Sequence, residues 1–182
     1  MLLVNFNPFP ELTTERLRLR QMQREDENDF FALRSNPEIM RFIPRPIARS
    51  VADAAQLILN INNGIRQNEH ITWGISLKSE PKIIGTIGYV RMAKQNYRAE
   101  IGYLLHGDYR GQGLMQEALQ AVIEYGFQIM KLHSIEGVID PANVASARVL
   151  EQAGFRKEAH FKENQFYNNS FHDTVHYSLL AP

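Results

Sequence analysis

The chain has 182 residues, 44% hydrophobic and 22% charged, which fits one globular domain rather than two. Lysine plus arginine equals aspartate plus glutamate at 20 each, so the formal net charge is +0, which argues against nucleic acid or an anionic membrane as the main partner. With no cysteine, a disulfide framework, a thiolate metal site and a cysteine nucleophile are all excluded.

No apolar run approaches the roughly 20 residues that cross a bilayer. The opening MLLVNFNPFPEL is apolar but has no basic residues ahead of a long hydrophobic region. It reads as a tail of residues 1–11 that packs or frays, not as a signal peptide, and the expected compartment is the cytoplasm. Residues 12–182 are then a single domain, with no linker or repeat inside it.

In chain order, residues 16–22 (RLRLRQM) alternate as a half-buried strand does. EDENDFFALRS puts acids at the start of a short helix that ends before Asn36-Pro37. IPRPIARS is irregular, because its two prolines remove donors and fix the backbone. Ser50 caps a helix to about Gln67, with Ala54, Leu57, Ile58, Ile61 and Ile65 as its apolar stripe. Strands follow at 70–78, 82–90 and 97–106, joined by the hairpin-like links SEPK and MAKQN.

From Gly113 to Met130 the apolar residues Leu114, Ala118, Val122, Tyr125 and Ile129 fall at helical spacing. A strand at 133–139 precedes a helix capped by Asn143 and closed by Gly154, with Phe155 suited to the contact beyond. Strands at 155–166 and 171–180 complete the chain. Strand, two helices, three strands, helix, strand, helix and two strands make a mixed α/β sheet with at least one crossover helix.

The stretch 100–119, EIGYLLHGDYRGQGLMQEAL, carries the chemistry. A strand ends near His106 and Arg110-Gly111-Gln112-Gly113 opens the long helix. A helix N-terminus offers free N–H groups and partial positive charge, and glycines let the backbone approach a bulky anion. Together they form a cradle suited to pyrophosphate, with Arg110 adding charge at the rim. The same pair of glycines can also be only a tight turn. Neither a P-loop nor a Rossmann fingerprint is present, since GxxxxGK(S/T) and the third glycine are both missing.

This stretch resembles the acetyl-CoA signature of the GNAT superfamily, (Q/R)-x-x-G-x-(G/A), written here Arg110-Gly111-Gln112-Gly113-Leu114-Met115. Met115 departs from the final small residue. The RimJ/RimL branch is similar also in LTTERLRLR, AEIGYLL, NVASARVLEQAGF at 143–155 and FHDTVHYSLL at 171–180, so the resemblance spans about residues 12–180. It implies a GNAT fold, an α/β (layered α+β) architecture. Its central sheet is mixed and mostly antiparallel, splayed between the fourth strand (97–106) and the fifth (133–139), with helices on both faces. It also implies an acetyl-CoA-dependent N-acetyltransferase without a metal, which moves acetyl directly to a primary amine in a ternary complex.

By the same resemblance, Tyr103, Leu104 and Leu105 pair with the pantetheine arm. Backbone N–H groups from Gly111 through Gln112, Gly113 and Leu114 to Met115 hold the pyrophosphate, and Asn143 and Ser146 lie near the cysteamine end. The tyrosine acid of many relatives is matched by Leu150, which leaves Ser146 to serve the leaving thiolate or merely to decorate the first helical turn. Glu100 is the leading base, or else a paired structural carboxylate, on one strand face with Gly102 and Leu104. Gln165 stands where some relatives carry a glutamate. Glu136, Asp140 and His172 are reserves, and Asp173 is assigned to fixing the last strand.

An α-amine with a pKa near 8 costs only about 1.4 kcal/mol to deprotonate at pH 7, and a lysine about 4.6 kcal/mol. A weak base therefore suits a protein N-terminus or another low-pKa amine, peptide or small molecule. Arg41, Arg45, Arg49 and His70 could bind an acidic acceptor or be plain solvated charge. Tyr97, Phe166 and Tyr167 could line its slot, along with PRPIARS, the helix from Ser50 and the 164–172 loop. Monomer and homodimer both stay open. The competing class is an acyl-CoA-binding module without turnover.

Overall fold

Alternation of apolar and polar residues builds a single sheet whose two faces carry different layers. The computed structural model describes the whole chain, Met1–Pro182. Eight strands, β1 (Leu12–Thr13), β2 (Leu17–Arg20), β3 (Ile71–Leu77), β4 (Gly85–Ala93), β5 (Arg98–Leu105), β6 (Ser134–Ile139), β7 (Arg156–Tyr167) and β8 (Ser170–Leu180), lie in the order β1-β2-β3-β4-β5-β6-β8-β7. All neighbours are antiparallel except β5 and β6. That parallel pair needs a crossover, supplied by the helix α4 (Leu114–Glu124).

Leu17, Leu19, Ile71, Trp73, Ile75, Ile87, Tyr89 and Ile101 point to one face, where α4 and α5 (Val144–Gln152) complete the main core. The opposite face carries α1 (Glu27–Arg34), the single turn α2 (Pro37–Met40) and α3 (Val51–Arg66) over a smaller core of Met22, Phe30, Leu33, Ile58, Ile83 and Leu104. The mixed, mostly antiparallel sheet with helices on both faces is the expected architecture. No helix is long and apolar enough to cross a membrane.

Local chemistry explains most boundaries. Ser50 accepts the Asp53 N–H while the Asp53 carboxylate accepts the Ser50 N–H, a reciprocal cap that starts α3 where expected. Asn36 caps the unexpected turn α2, with Pro37 at its first position. The tail packs rather than frays. Leu2 and Phe6 are buried, the Phe6 N–H donates to Asn68 Oδ1 at 2.7 Å, and Trp73 Nε1 donates to the Pro10 carbonyl at 2.6 Å.

Three boundaries differ from the sequence reading. Residues 82–84 do not join β4, because the Ile83 N–H is diverted to Asp29 Oδ2 at 3.0 Å and Ile83 and Ile84 are buried in opposite cores. The helix from Gly113 stays α-helical only to Glu124 and widens into a π turn at Tyr125–Ile129. The cause is the buried Tyr89 hydroxyl, which donates to the Val122 carbonyl at 2.8 Å beside Gly126. A Cβ on Gly126 would stand 2.0 Å from that hydroxyl. The expected 164–172 loop is instead the end of a long hairpin, turned by Asn168 and Asn169, both at positive φ.

Candidate active site

The loop before α4 has the geometry of an anion cradle. Gly111 and Gly113 have φ of 73° and 75°, the left-handed region where side chains are strained. The first helical bond runs from the Glu117 N–H to the Gly113 carbonyl at 3.0 Å, and the N–H groups of residues 111–116 have no partner in the chain. A Cβ at Gly111 would meet nothing within 4 Å, so open space lies in front of the loop. Arg110 is exposed at its rim and joins no ion pair. Leu114 and Met115 are buried in the main core, so their part in the cradle is backbone alone. Because the Met115 side chain points into the core, its departure from the small-residue pattern does not crowd the loop.

A brace that sequence reasoning missed fixes this loop from behind. Arg16 Nη1 donates to the Gln112 carbonyl at 2.9 Å and its Nε to Glu117 Oε2 at 2.6 Å. Glu117 Oε1 also accepts the Arg16 N–H at 2.8 Å and the Thr14 hydroxyl. Burial alone would raise the Glu117 pKa, but the bonds from Thr14 and Arg16 outweigh it and hold the carboxyl below its usual range. The signal lay in the pair Arg16 and Glu117, too far apart in sequence to be joined by eye.

The sheet opens beside the loop. Pairing of β5 with β6 ends at Ile101↔Gly137, although β5 runs on to Leu105 and β6 to Ile139. The His106 N–H bonds the Ile84 carbonyl at 2.8 Å, so strand parity turns the backbone of Gly102 and Leu104 toward β4. The N–H and C=O of Tyr103 and Leu105 then face the gap. Of the three residues expected to pair with the arm, Tyr103 and Leu105 have that direction and Leu104 does not. Gly102 and Leu104 instead floor the cleft beyond.

That cleft, about 1200 Å³, lies on the α1–α3 side of the sheet. It brings together Glu100, Asn143 and Ser146 with Gln165 and His172. The Asn143 side chain accepts the Ser146 N–H at 3.1 Å, the expected cap, and the Ser146 Oγ has no bond to the protein. The Tyr103 hydroxyl donates to the Ser146 carbonyl at 3.3 Å, and burial raises its pKa well above the ordinary phenol value. Glu100 receives Arg91 Nη1 at 3.1 Å. Leu150 is fully buried against Gly137 and faces away from the cleft.

The reserves divide. Asp140 and His172 line the cleft, but Asp140 Oδ1 accepts the Ala142 N–H at 2.7 Å and His172 bonds Ser170 at 2.8 Å. Glu136 pairs with Arg98 outside the cleft lining. Asp173 ties the last hairpin by accepting the Glu163 N–H at 2.9 Å and meeting His160 at 2.6 Å. Arg41, Arg45, Arg49, His70 and Tyr167 line the cleft. Tyr97 does not. Its hydroxyl meets the Met1 ammonium at 2.8 Å. Phe166 is 61% exposed and packs on Phe171 instead. Arg34, Thr72 and Thr86 also line the cleft without having been singled out. No group of three His, Asp or Glu side chains is placed to hold a metal ion.

Free N–H groups at the start of α4, a gap between parallel strands and a cleft on the α1–α3 face thus lie side by side. Residues 16–156 match the family described as "Acetyltransferase (GNAT) domain", and the chain belongs to that family of acetyltransferases. It is 34% identical over 174 residues to the uncharacterized N-acetyltransferase YoaA of Bacillus subtilis (strain 168), covering 96% of this chain and 98% of that one. It is 29% identical over 123 residues to the [Ribosomal protein uS5]-alanine N-acetyltransferase of Escherichia coli (strain K12), covering 67% of this chain and 63% of the other. In fold it is similar to the ribosomal L7/L12 alpha-N-protein acetyltransferase RimL solved with coenzyme A, at a TM-score of 0.85 and 18% identity over 94% of this chain and 98% of that chain.

Proposed function

We propose that the chain transfers acetyl from acetyl-CoA directly to a primary amine, with a polypeptide α-amine as the preferred acceptor. The observation that carries this reading is the run of unpartnered N–H groups at residues 111–116, set beside the gap that opens after Ile101. The N–H groups fit a pyrophosphate, with Arg110 at the rim. The free backbone of Tyr103 and Leu105 fits a pantetheine amide arm as an added strand would. The arm would then end beside Asn143 and Ser146, at the inner end of the cleft. The likeness to enzymes named as ribosomal protein acetyltransferases supports a polypeptide acceptor.

The reaction forms an amide N–C bond and breaks the thioester C–S bond. An ammonium that becomes an amide gives up two protons, one before attack and one as the amide forms; one is matched by the proton the leaving sulfur takes up and the other passes to solvent. Glu100, on the cleft floor, receives the amine proton directly or through a water. The Ser146 hydroxyl, free of protein partners, donates to the departing thiolate. Tyr103, kept neutral by burial, holds the α5 backbone that carries Ser146.

A second reading, an acyl-CoA-binding module without turnover, draws on Leu150 facing the core and on the engagement of Glu100 by Arg91. Incubation with acetyl-CoA and a panel of α-amines, lysine amines and small amines separates the two. Acetylated α-amines are the expected result, formed faster than acetyl-lysine at pH 7. Coenzyme binding with no acetylated product from any amine would leave only the second reading.

A further inference from the structure

The cleft wall opposite the sheet is basic and lacks counterions. Arg34, Arg41, Arg45 and Arg49 all line it, yet none joins an ion pair in the molecule. The cleft's own acids are engaged elsewhere, Glu100 by Arg91, Asp140 by the Ala142 N–H and Asp173 by His160. Arg49 has a carboxylate nearby, since Asp53 accepts its N–H at 2.8 Å. Arg34, Arg41 and Arg45 have no such neighbour among the acids lining the cleft.

Arg34 is the informative one. It ends α1, is half-buried, and its Nη2 donates only to the Pro46 carbonyl at 3.3 Å. Its Nε is buried with no partner at all. Burial and then the neighbouring Arg45 push its pKa down, though an arginine stays charged. A half-buried guanidinium with an orphaned donor and a like-charged neighbour is costly by itself. An oxyanion delivered into the cleft would remove that cost. Small-molecule sites occupy roughly 300–1,000 Å³, and this cleft, at about 1200 Å³, has room for several residues of a chain.

Building on the acceptor cleft proposed above, we infer that the acceptor is an acidic polypeptide N-terminus, whose amine reaches the Glu100–Ser146 end while carboxylates in its next few residues are held by Arg34, Arg41 and Arg45. A carboxylate and a phosphate share this chemistry, and the test distinguishes them.

The experiment is a calorimetric titration of the protein saturated with CoA, which carries no acetyl group and so cannot react. The probes are three matched peptides with Ser first and then two glutamates, two glutamines or two phosphoserines. The glutamate peptide should bind about tenfold more tightly than the glutamine peptide, with the difference shrinking at high salt. Arg41→Ala with Arg45→Ala, both exposed side chains, should abolish the preference and leave CoA affinity unchanged. Arg34→Lys, which keeps the charge but loses the planar fork, should reduce it. Equal binding of glutamate and glutamine peptides, no binding of either, or a preference that survives the double substitution would overturn the inference. Tighter binding of the phosphoserine peptide than the glutamate peptide would overturn the carboxylate assignment. Turnover is scored separately. Selective binding without acetyl transfer from acetyl-CoA would defeat the proposed reaction and leave the acidic preference standing.

Discussion

Ser146 sits third in α5, where its N–H is taken by the Asn143 cap and its hydroxyl is left over. Such a serine needs no function in most helices, and here the difference is its position at the end of the gap. Ser146→Ala should lower kcat on the order of 100-fold if the hydroxyl serves the thiolate, while KM for acetyl-CoA changes little. Steady-state kinetics on the acetylated peptide checks this, and an unchanged kcat would reduce Ser146 to a helix residue.

Single residues were legible where local rules fixed them. Asn143, Ser50 and the glycines at 111 and 113 do in space what their types suggest in sequence. Arg34 was not legible, because an arginine in a helix's last turn is ordinarily solvated and complements the dipole. Only packing turns its Nε inward. Leu150 was legible as a missing tyrosine, but its burial against Gly137 could not be read from one chain.

At the scale of elements, the anion loop depends on a brace from the start of the chain's first strands. Glu117 lies in the first turn of α4, where a negative charge also favours the helix dipole. Its depressed pKa fixes the sign of a pH effect. The carboxylate stabilises the fold fully above the ordinary glutamate value of about 4.3, and that stabilisation is lost as pH falls through the lower folded-state value. Glu117→Gln should therefore cost about 1–3 kcal/mol at pH 7, with the gap to the natural protein closing as the solution is acidified below pH of about 4. Denaturant melts at several pH values measure this. A gap that stays constant with pH would mean that the carboxylate charge does not hold the loop.

Element existence followed from periodicity, because strands and helices here bury clean stripes. Ends failed where a long-range bond intervened. The Asp29 carboxylate takes the Ile83 N–H, and the Tyr89 hydroxyl takes the Val122 carbonyl. Neither partner is near in sequence, so no local pattern announces it. The hairpin of β7 and β8 was legible in outline, and its depth depended on two asparagines accepting positive φ.

Across the whole molecule, the sheet works as a partition with one opening. The N–H cradle lies at the start of α4, the large cleft lies on the α1–α3 side, and β5 diverges from β6 between them. The splay between the strands at 97–106 and 133–139 came into view through the family resemblance, whereas the strand pattern alone gave only a mixed sheet with a crossover. The basic wall of the cleft is a property of the assembled fold, drawn from residues 34 to 49 that look unremarkable in order.

The most direct test is a titration of the protein with acetyl-CoA, CoA, ATP and NAD while thermal stability is followed, repeated with Gly113→Val. Ligand at 100 times its Kd should stabilise the native state by about 2.7 kcal/mol. The account predicts a rise for acetyl-CoA and CoA that ATP and NAD do not match, and its loss in Gly113→Val, where a branched side chain would be forced into a left-handed backbone at the cradle. No rise, an equal rise with ATP, or an intact rise in Gly113→Val would contradict the assignment of this loop and gap as the coenzyme site.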